Sequence, residues 1–593
     1  REKIAKELLD QYGTKDIDPK VLDEIQDMSE AMEKMPTGRV KNKQAIDILS
    51  KIENESGIKK TDLMFSLWYA GLLSGTSTQA LNIMSNSLNL LGETFTTVVQ
   101  ETLVNKDPKN AMKAMTKLFS GWEEALKQGA DILKHGGDPD KISVKLEAKN
   151  VLESVKFKGV LKPLNTYKYV SRFMVAMDSI FYYKFRDMRY HQLAGQMAKD
   201  EGLKGEELNN RVTEILYNSK EDIDGANKQA QKELDKVTEL TGKEFSKTDV
   251  SLRGFEILDQ NRAKDNPEIV TDADKFAAHG TFNYDPEGIL GVFSNVLTSL
   301  TTKVPPVKFI IPFTRIVANV LNQQLDYTPY GFVRAQGGIS RMVNKVFSNA
   351  NITESAPQTA EARSRQLIKA AWGTMMMAGL YSLAKAYDED EDPYFAITGK
   401  GPRDFNKKSQ LFSQGWKPYS IKIGDLYIPY QFSPAGYGLA VMGNTLDAEK
   451  YDDLTKKDLS TRTAFALSAS TKSIFDMSFL TGLGGVFKAL SSDSDPEKEM
   501  KNLLKPVSSL PSTIVPSLIR QVDKMFDPTI YEAREITEAV VKNIPFARQT
   551  LLKPALNAYG QPVEKTGTRF SSTRTEDPVW KLMAERELFA PKA

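Results

Sequence analysis

The chain has no cysteine and only three histidines, His135, His191 and His279, among its 593 residues. Disulfide scaffolds, thiolate metal sites, cysteine nucleophiles and the thioredoxin pattern are excluded together, and no His-x-x-x-His pair is present for zinc. A thiol-free chain suits passage between compartments of different redox poise, and it suits a reducing cytosol equally well. Charge of one sign is also missing. Lys+Arg number 79 against 77 Asp+Glu, a formal +2, so no global field draws the chain to nucleic acid or anionic lipid. Gly-x-Ser-x-Gly, Walker A and His-Glu-x-x-His do not occur. Gly242-Lys243 lacks the surroundings of a phosphate loop, and the glycines of "LTGLGGVF" (Gly482, Gly484, Gly485) read as a helix break. The acidic run Asp388–Asp392 lacks the spaced ligands and turn glycine of a calcium loop. The expectation is therefore no catalytic, cofactor-binding or metal-binding residue, no cofactor, and no enzyme in this segment.

What is present is material for folding: 40% hydrophobic and 26% charged residues with a mean hydropathy of −0.39. At roughly 100–200 residues each, the length allows about three to five domains, unless the chain forms an extended helical array. It begins at Arg1 without a signal peptide, which reads as the interior of a longer polypeptide whose preceding part would carry any enzymatic domain.

Residues 1–60 form a charged helical segment in which Val21, Leu22, Ile25, Met28, Met32 and Met35 recur at three- and four-residue steps. Residues 61–195 are expected to be a helical core with an uncharged helix pair, because thirty consecutive residues between Asp62 and Glu93 carry no charge. That stretch is long enough to span a bilayer. Its Ser, Thr, Asn, Gln and Gly content, and the break at "SGTST" (Ser74–Thr78), favour a helix-turn-helix buried in an assembly. Further on, Phe173, Met177, Ile180, Phe181 and Met188 mark a core stripe. The interleaved Lys184, Arg186, Arg189, Tyr182, Tyr183 and Tyr190 also match a surface that stacks on single-stranded nucleic acid.

Residues 196–283 read as polar projecting helices, and 284–390 as an apolar helical region. In that region Pro305, Pro306 and Pro312 cut the first part into short helices. The uncharged stretch Ala370–Ala384 is too short for a span and reads as a core helix. Residues 391–450 hold a β-hairpin near 419–430, with Gly424-Asp425 as its two-residue turn and Pro429 confining the second strand to an edge. Ser433-Pro434 then opens a helix. Residues 451–593 form a proline-interrupted, wrapping C-terminal region. The fold class is mainly α, an extended multi-helix assembly with that one small hairpin.

Six segments occur in one order: "WYAGLLSGTSTQALNIMSN" (68–86), "IIPFTRIVANVLNQQLDYTP" (310–329), "ITGKGP" (397–402), "GWKPYSIKIGDLYIPYQFSPAGYGLA" (415–440), "SFLTGLGGVFKALSSDSDPEK" (478–498) and "IPFARQTLLKPALNAYGQPVEK" (544–565). The series resembles a region of large polyvalent phage proteins, similar to internal virion (ejection) proteins of tailed bacteriophages. The resemblance implies a homo-oligomer packaged in the capsid interior near the portal. It would contact sister subunits, portal or other virion proteins and packaged DNA, and pass into the host cell envelope with the genome to help form a conduit. A permanent virion protein lining the portal or tail channel, and a DNA-organising core protein, are the alternatives. The expected subunit or membrane contacts are the apolar residues of the uncharged segments: Trp68, Leu72, Leu81, Ile83, Leu88, Ile310, Ile311, Phe313, Trp372, Met376 and Leu380.

Overall fold

The computed structural model describes residues 19–56, 66, 70, 76–136, 165, 167–217, 220–285, 314–336, 359–387, 393–402, 404–430, 433–451, 529, 532, 552–556 and 562. These residues are mainly helical, with one small antiparallel sheet. The chain divides into two compact units. One comprises 1–74 and 93–283, the other 75–92 and 284–593. The acidic run 388–392 and nearly all of 451–593 lie outside the described residues.

In the first unit, α1 (Pro19–Glu33) and α2 (Arg39–Ser56) join through Ile25 and Ile48, with Val21, Met28 and Met32 against them. The stripe read from the sequence is thus a packing seam. Gly38, at the turn between them, has φ +121°, and a Cβ there would fall 1.7 Å from Glu256 Oε1. Only glycine combines that backbone with that clearance.

Helix α3 (Thr76–Val99) runs into a π-turn, Gln100–Val104, whose Glu101 carboxylate is buried. Amide groups of Asn105, Gln192 and Gln196 donate to that carboxylate at 3.1, 2.8 and 3.0 Å. Helix α4 (Pro108–Phe119) starts where the Asp107 side chain accepts from Asn110 N–H, with Pro108 in the first turn. Helix α5 (Glu123–His135) follows.

The long α6 (Tyr167–Asp200) is the axis of this unit. It contacts α4, α5, α7 (Gly205–Tyr217) and α10 (Pro267–Gly280). Helix α8 (Lys220–Thr241) packs on α9 (Lys247–Asp265), which opens with a Ser246/Asp249 capping box. The expectation of projecting helices over 196–283 is corrected here. Val212, Ile215, Leu216, Ile269 and Ala273 close on Tyr190, Ala194 and Ala198 of α6, and Ala226 and Ala230 of α8 meet Ile257 and Leu258 of α9. Each buried Leu or Ile contributes about 1.5–3 kcal/mol, and alanine lets the axes approach. The exposed polar residues lie on the outer faces, while Arg253 and Arg262 are buried against Glu233, Glu256, Asp259 and the Leu216 carbonyl.

The second unit contains α11 (Thr314–Asp326), α12 (Tyr330–Ala335) and α13 (Ala360–Ala386), the last opened by the Thr359 side chain accepting from Ala362 N–H at 3.1 Å. There follow β1 (Phe395–Ile397), α14 (Phe405–Ser413), β2 (Ser420–Ile423), β3 (Leu426–Pro429) and α15 (Gly436–Tyr451). The strands form an antiparallel sheet in the order β1-β2-β3, with Ile397, Ile421 and Ile428 in one row and Phe395, Ile423 and Leu426 in the next. The hairpin turns at Gly424 (φ +57°) and Asp425, and Pro429 sits on the edge strand. The structure adds β1, and it moves the start of the following helix to Gly436. Ser433-Pro434 forms the preceding turn, in which Ser433 Oγ donates to Tyr430 O at 2.8 Å.

Candidate functional site

The uncharged segments divide in a way their composition does not reveal. Trp68, Leu72, Ile310, Ile311 and Phe313 lie outside the described residues, as does the Leu81 side chain. Ile83 and Leu88 are half-buried on α3. Asn89 is fully buried and accepts from Gln323 Nε2, and Gln324 Nε2 donates to Ser433 O at 3.1 Å. The Nε2 donors of Gln323 and Gln324 therefore find acceptors inside the second unit.

In α13, Trp372 meets Tyr327 edge to face at 5.2 Å, and Met376 and Leu380 pack against the core formed by Phe395, Ile397, Tyr430, Ala435 and Leu439. These three expected contact residues thus touch their own chain. The outward positions are their neighbours: Met375 (66% exposed), Ala378, Gly379, Ser382 and Leu383 (42%). An uncharged face of a 27-residue helix is left facing water. The sheet shows the same trend. Its apolar face is buried at Phe395 and Ile397 but opens to solvent at Ile423, Leu426 and Ile428, while Ser420 and Lys422 on β2 are buried.

Beneath these surfaces the "ITGKGP" loop is clamped to α15. Asp447 Oδ2 accepts from both Gly399 N–H (2.8 Å) and Gly401 N–H (2.7 Å), and Asn444 Oδ1 accepts from Lys400 N–H at 2.9 Å. Tyr430 Oη donates to Thr398 O at 2.7 Å. Burial pushes the Asp447 carboxyl up to about 7 against the opposing pull of those two N–H donors. Burial and the neighbouring Asp447 also raise Tyr430. A cavity of about 140 Å³ adjoins the clamp, lined by Phe395, Trp416, Lys422, Tyr427, Asp447 and Lys450 among others.

No protein-family model, curated protein or solved structure matches the chain. The arrangement is therefore read from its own chemistry.

Several charged groups of the first unit lie inside it. Arg39 bonds Gln128 and Asp131, Lys43 Nζ lies 2.9 Å from Asp131 Oδ1, and His135 Nδ1 lies 2.8 Å from the same oxygen. Burial works to raise Asp131, but Arg39 and Lys43 prevail and hold its carboxyl at about 2. Asp131, His135 and Asp249 have ligand atoms within 4.8 Å of one another, a trio invisible at their sequence spacing. The Lys43 ammonium stands between the acids, 3.7 Å from Asp249 Oδ1, so cations of the chain already balance the cluster.

Along α6, Arg186 pairs with Asp259 and, at 2.7 Å, with Asp274, and Arg189 pairs with Asp272 at 2.5 Å. Lys184 is fully buried over the Trp122 ring and donates to Ser120 O; burial lowers it to about 8, with Asp187 opposing. Arg186 and Arg262 lie over Tyr190. The nucleic-acid reading of this stretch is corrected: Tyr183, Lys184, Arg189 and Tyr190 are buried, and their stacking partners are within the chain. Glu124, beside a polar cavity of about 330 Å³ shared with Arg186, Asp259 and Asp274, is pushed up to about 8 by burial and by Asp259.

Proposed function

We propose that this protein is an internal virion protein of a tailed bacteriophage, held in the capsid near the portal. It leaves with the genome and enters the host envelope, where sister copies help form a conduit for DNA. The observation that carries the reading is the divided role of α13. Its inner side holds the core of the second unit, and its outer side presents an uncharged stripe through Met375, Gly379 and Leu383. Small and apolar residues at three- and four-residue steps favour close packing of a second helix in water or lipid. The exposed apolar edge of the hairpin offers sister subunits or portal proteins a second contact. No helix among the described residues is long and apolar enough to cross a membrane, so this reading builds the conduit from associated subunits.

The deciding experiment compares the protein inventories of full particles and of emptied ghosts. Loss of the polypeptide with the genome is expected; its retention would assign it to the permanent lining of the portal or tail channel. At the molecular level, Met375→Glu with Leu383→Glu should leave the helical signal intact and abolish self-association of the purified chain. A DNA-organising role would require a basic outer surface and salt-sensitive DNA binding, and the basic residues of α6 are engaged internally.

A further inference from the structure

Helix α4 packs one side on α6 and leaves the other open. Asn110 and Ala111 turn inward, whereas Met112 (65% exposed), Met115 and Phe119 (80%) face water. At about 100° per residue these three fall within an arc of about 60°, a continuous apolar stripe. The preceding π-turn also exposes Leu103 (71%) and Val104. Lys106, Lys109 and Lys113 are exposed on the same segment, and Lys113 Nζ donates to a neutral partner, Asn209 Oδ1, at 3.0 Å. From Pro108 to Phe119 there is no acidic residue, and Asp107 is occupied as the cap and by Lys199 at 3.4 Å. The near-neutral chain thus concentrates local positive charge beside an uncovered hydrophobic stripe.

We propose that α4, with Leu103 and Val104, docks on the surface of an anionic lipid bilayer, its axis in the interfacial plane. Charge complementarity selects this occupant. A stripe of Met and Phe flanked by lysines matches a helix that sinks its apolar side to the acyl boundary and leaves ammonium groups among anionic headgroups. The contact is peripheral. It deepens the envelope step of the proposed function and rests on that reading only for which membrane is met.

Flotation of the full chain with phosphatidylcholine vesicles, with and without phosphatidylglycerol, tests it. Binding is expected only with the anionic lipid and should weaken with salt. It should fall about fivefold for each of Lys109→Gln and Lys113→Gln, and at least about tenfold for Phe119→Ser. All three positions are exposed, and circular dichroism of each variant verifies the fold. Failure to bind, equal binding to neutral vesicles, or indifference to the lysine and Phe119 substitutions would overturn the proposal. Concentration-dependent self-association lost in Phe119→Ser would do so as well, by assigning the stripe to a second copy. The particle-and-ghost comparison is independent of these outcomes, so failure of delivery and failure of lipid docking are distinguishable.

Discussion

Asp447 makes the second unit a test of how a buried carboxyl governs stability. Its Oδ2 accepts both glycine N–H groups of the clamped loop, which leaves Oδ1 to carry a proton. The carboxyl titrates near 7 in the folded chain and near 3.8 when unfolded. Between those values the folded state binds more protons, so stability is fully present below about pH 4 and is lost as pH rises through 7. About three pH units at 1.36 kcal/mol each set an upper bound of about 4 kcal/mol.

Asp447→Asn keeps an oxygen for the two N–H groups and replaces the proton-bearing oxygen with an amide. Urea unfolding of wild type and variant between about pH 4 and pH 8, followed by hydrogen exchange at Gly399 and Gly401, should show a declining wild-type midpoint and a flat variant. Asp447→Ala should be destabilised at every pH, by about 1–3 kcal/mol for each stranded N–H. An Asp447→Asn chain with the full wild-type pH slope would refute the reasoning, because the proton would then reside elsewhere.

Glu124 gives the first unit a similar slope: its folded value near 8 means stability is lost from about pH 4.5 through pH 8. Glu124→Gln should match wild-type stability at the acid end and exceed it at pH 8, by about 2–4 kcal/mol allowing for solvent at the cavity. Asp131 has the opposite sign, since its folded value near 2 lies below the ordinary 3.8 and its contribution is lost as pH falls through 2. Arg39→Ala should cost about 3–5 kcal/mol in urea at neutral pH by leaving Asp131 buried without its main partner, and acid unfolding should begin at higher pH. Gly38→Ala should cost about 1–3 kcal/mol through its positive φ and the contact with Glu256, with part recovered by Glu256→Ala in the same chain.

Local patterns were legible where one side of an element alone is apolar. The α1 stripe and the Gly424-Asp425 hairpin both follow from spacing and turn chemistry. The strand β1 escaped notice because three residues carry no periodicity, and its partner β2 lies across an intervening helix. The candidate surface was legible as a segment and illegible as a face. Helix α13 is apolar nearly all round over 370–384, so nothing in its periodicity distinguishes Met376, which packs inward, from Met375, which faces water. The α4 stripe had the opposite difficulty. Methionines 112 and 115 with Phe119 have the spacing of an ordinary core face, and only the fold reveals that they are exposed among the described residues. Charge pairing was hidden for a third reason: Arg39 meets Asp131 and Arg186 meets Asp259 across long sequence separations, and no local rule links such partners.

The two units distribute polarity against the usual preference, and that distribution bears on assembly. Arg39, Lys184, Arg189, Arg253 and Arg262 are buried with matched carboxylates or carbonyls, while Met112, Phe119, Met375 and Leu426 face water. Buried ion pairs add little net stability over apolar replacements, but misplacing one leaves an uncompensated charge costing about 3–5 kcal/mol. Hydrophobic free energy left on the outside is then realised only on association, whether with a second copy, another protein or a lipid surface. Under the proposed function the internal pairing would persist as the surroundings change, and the neighbour that covers the apolar faces would add stabilisation. The particle, vesicle and self-association experiments test whether such an exchange of neighbours takes place.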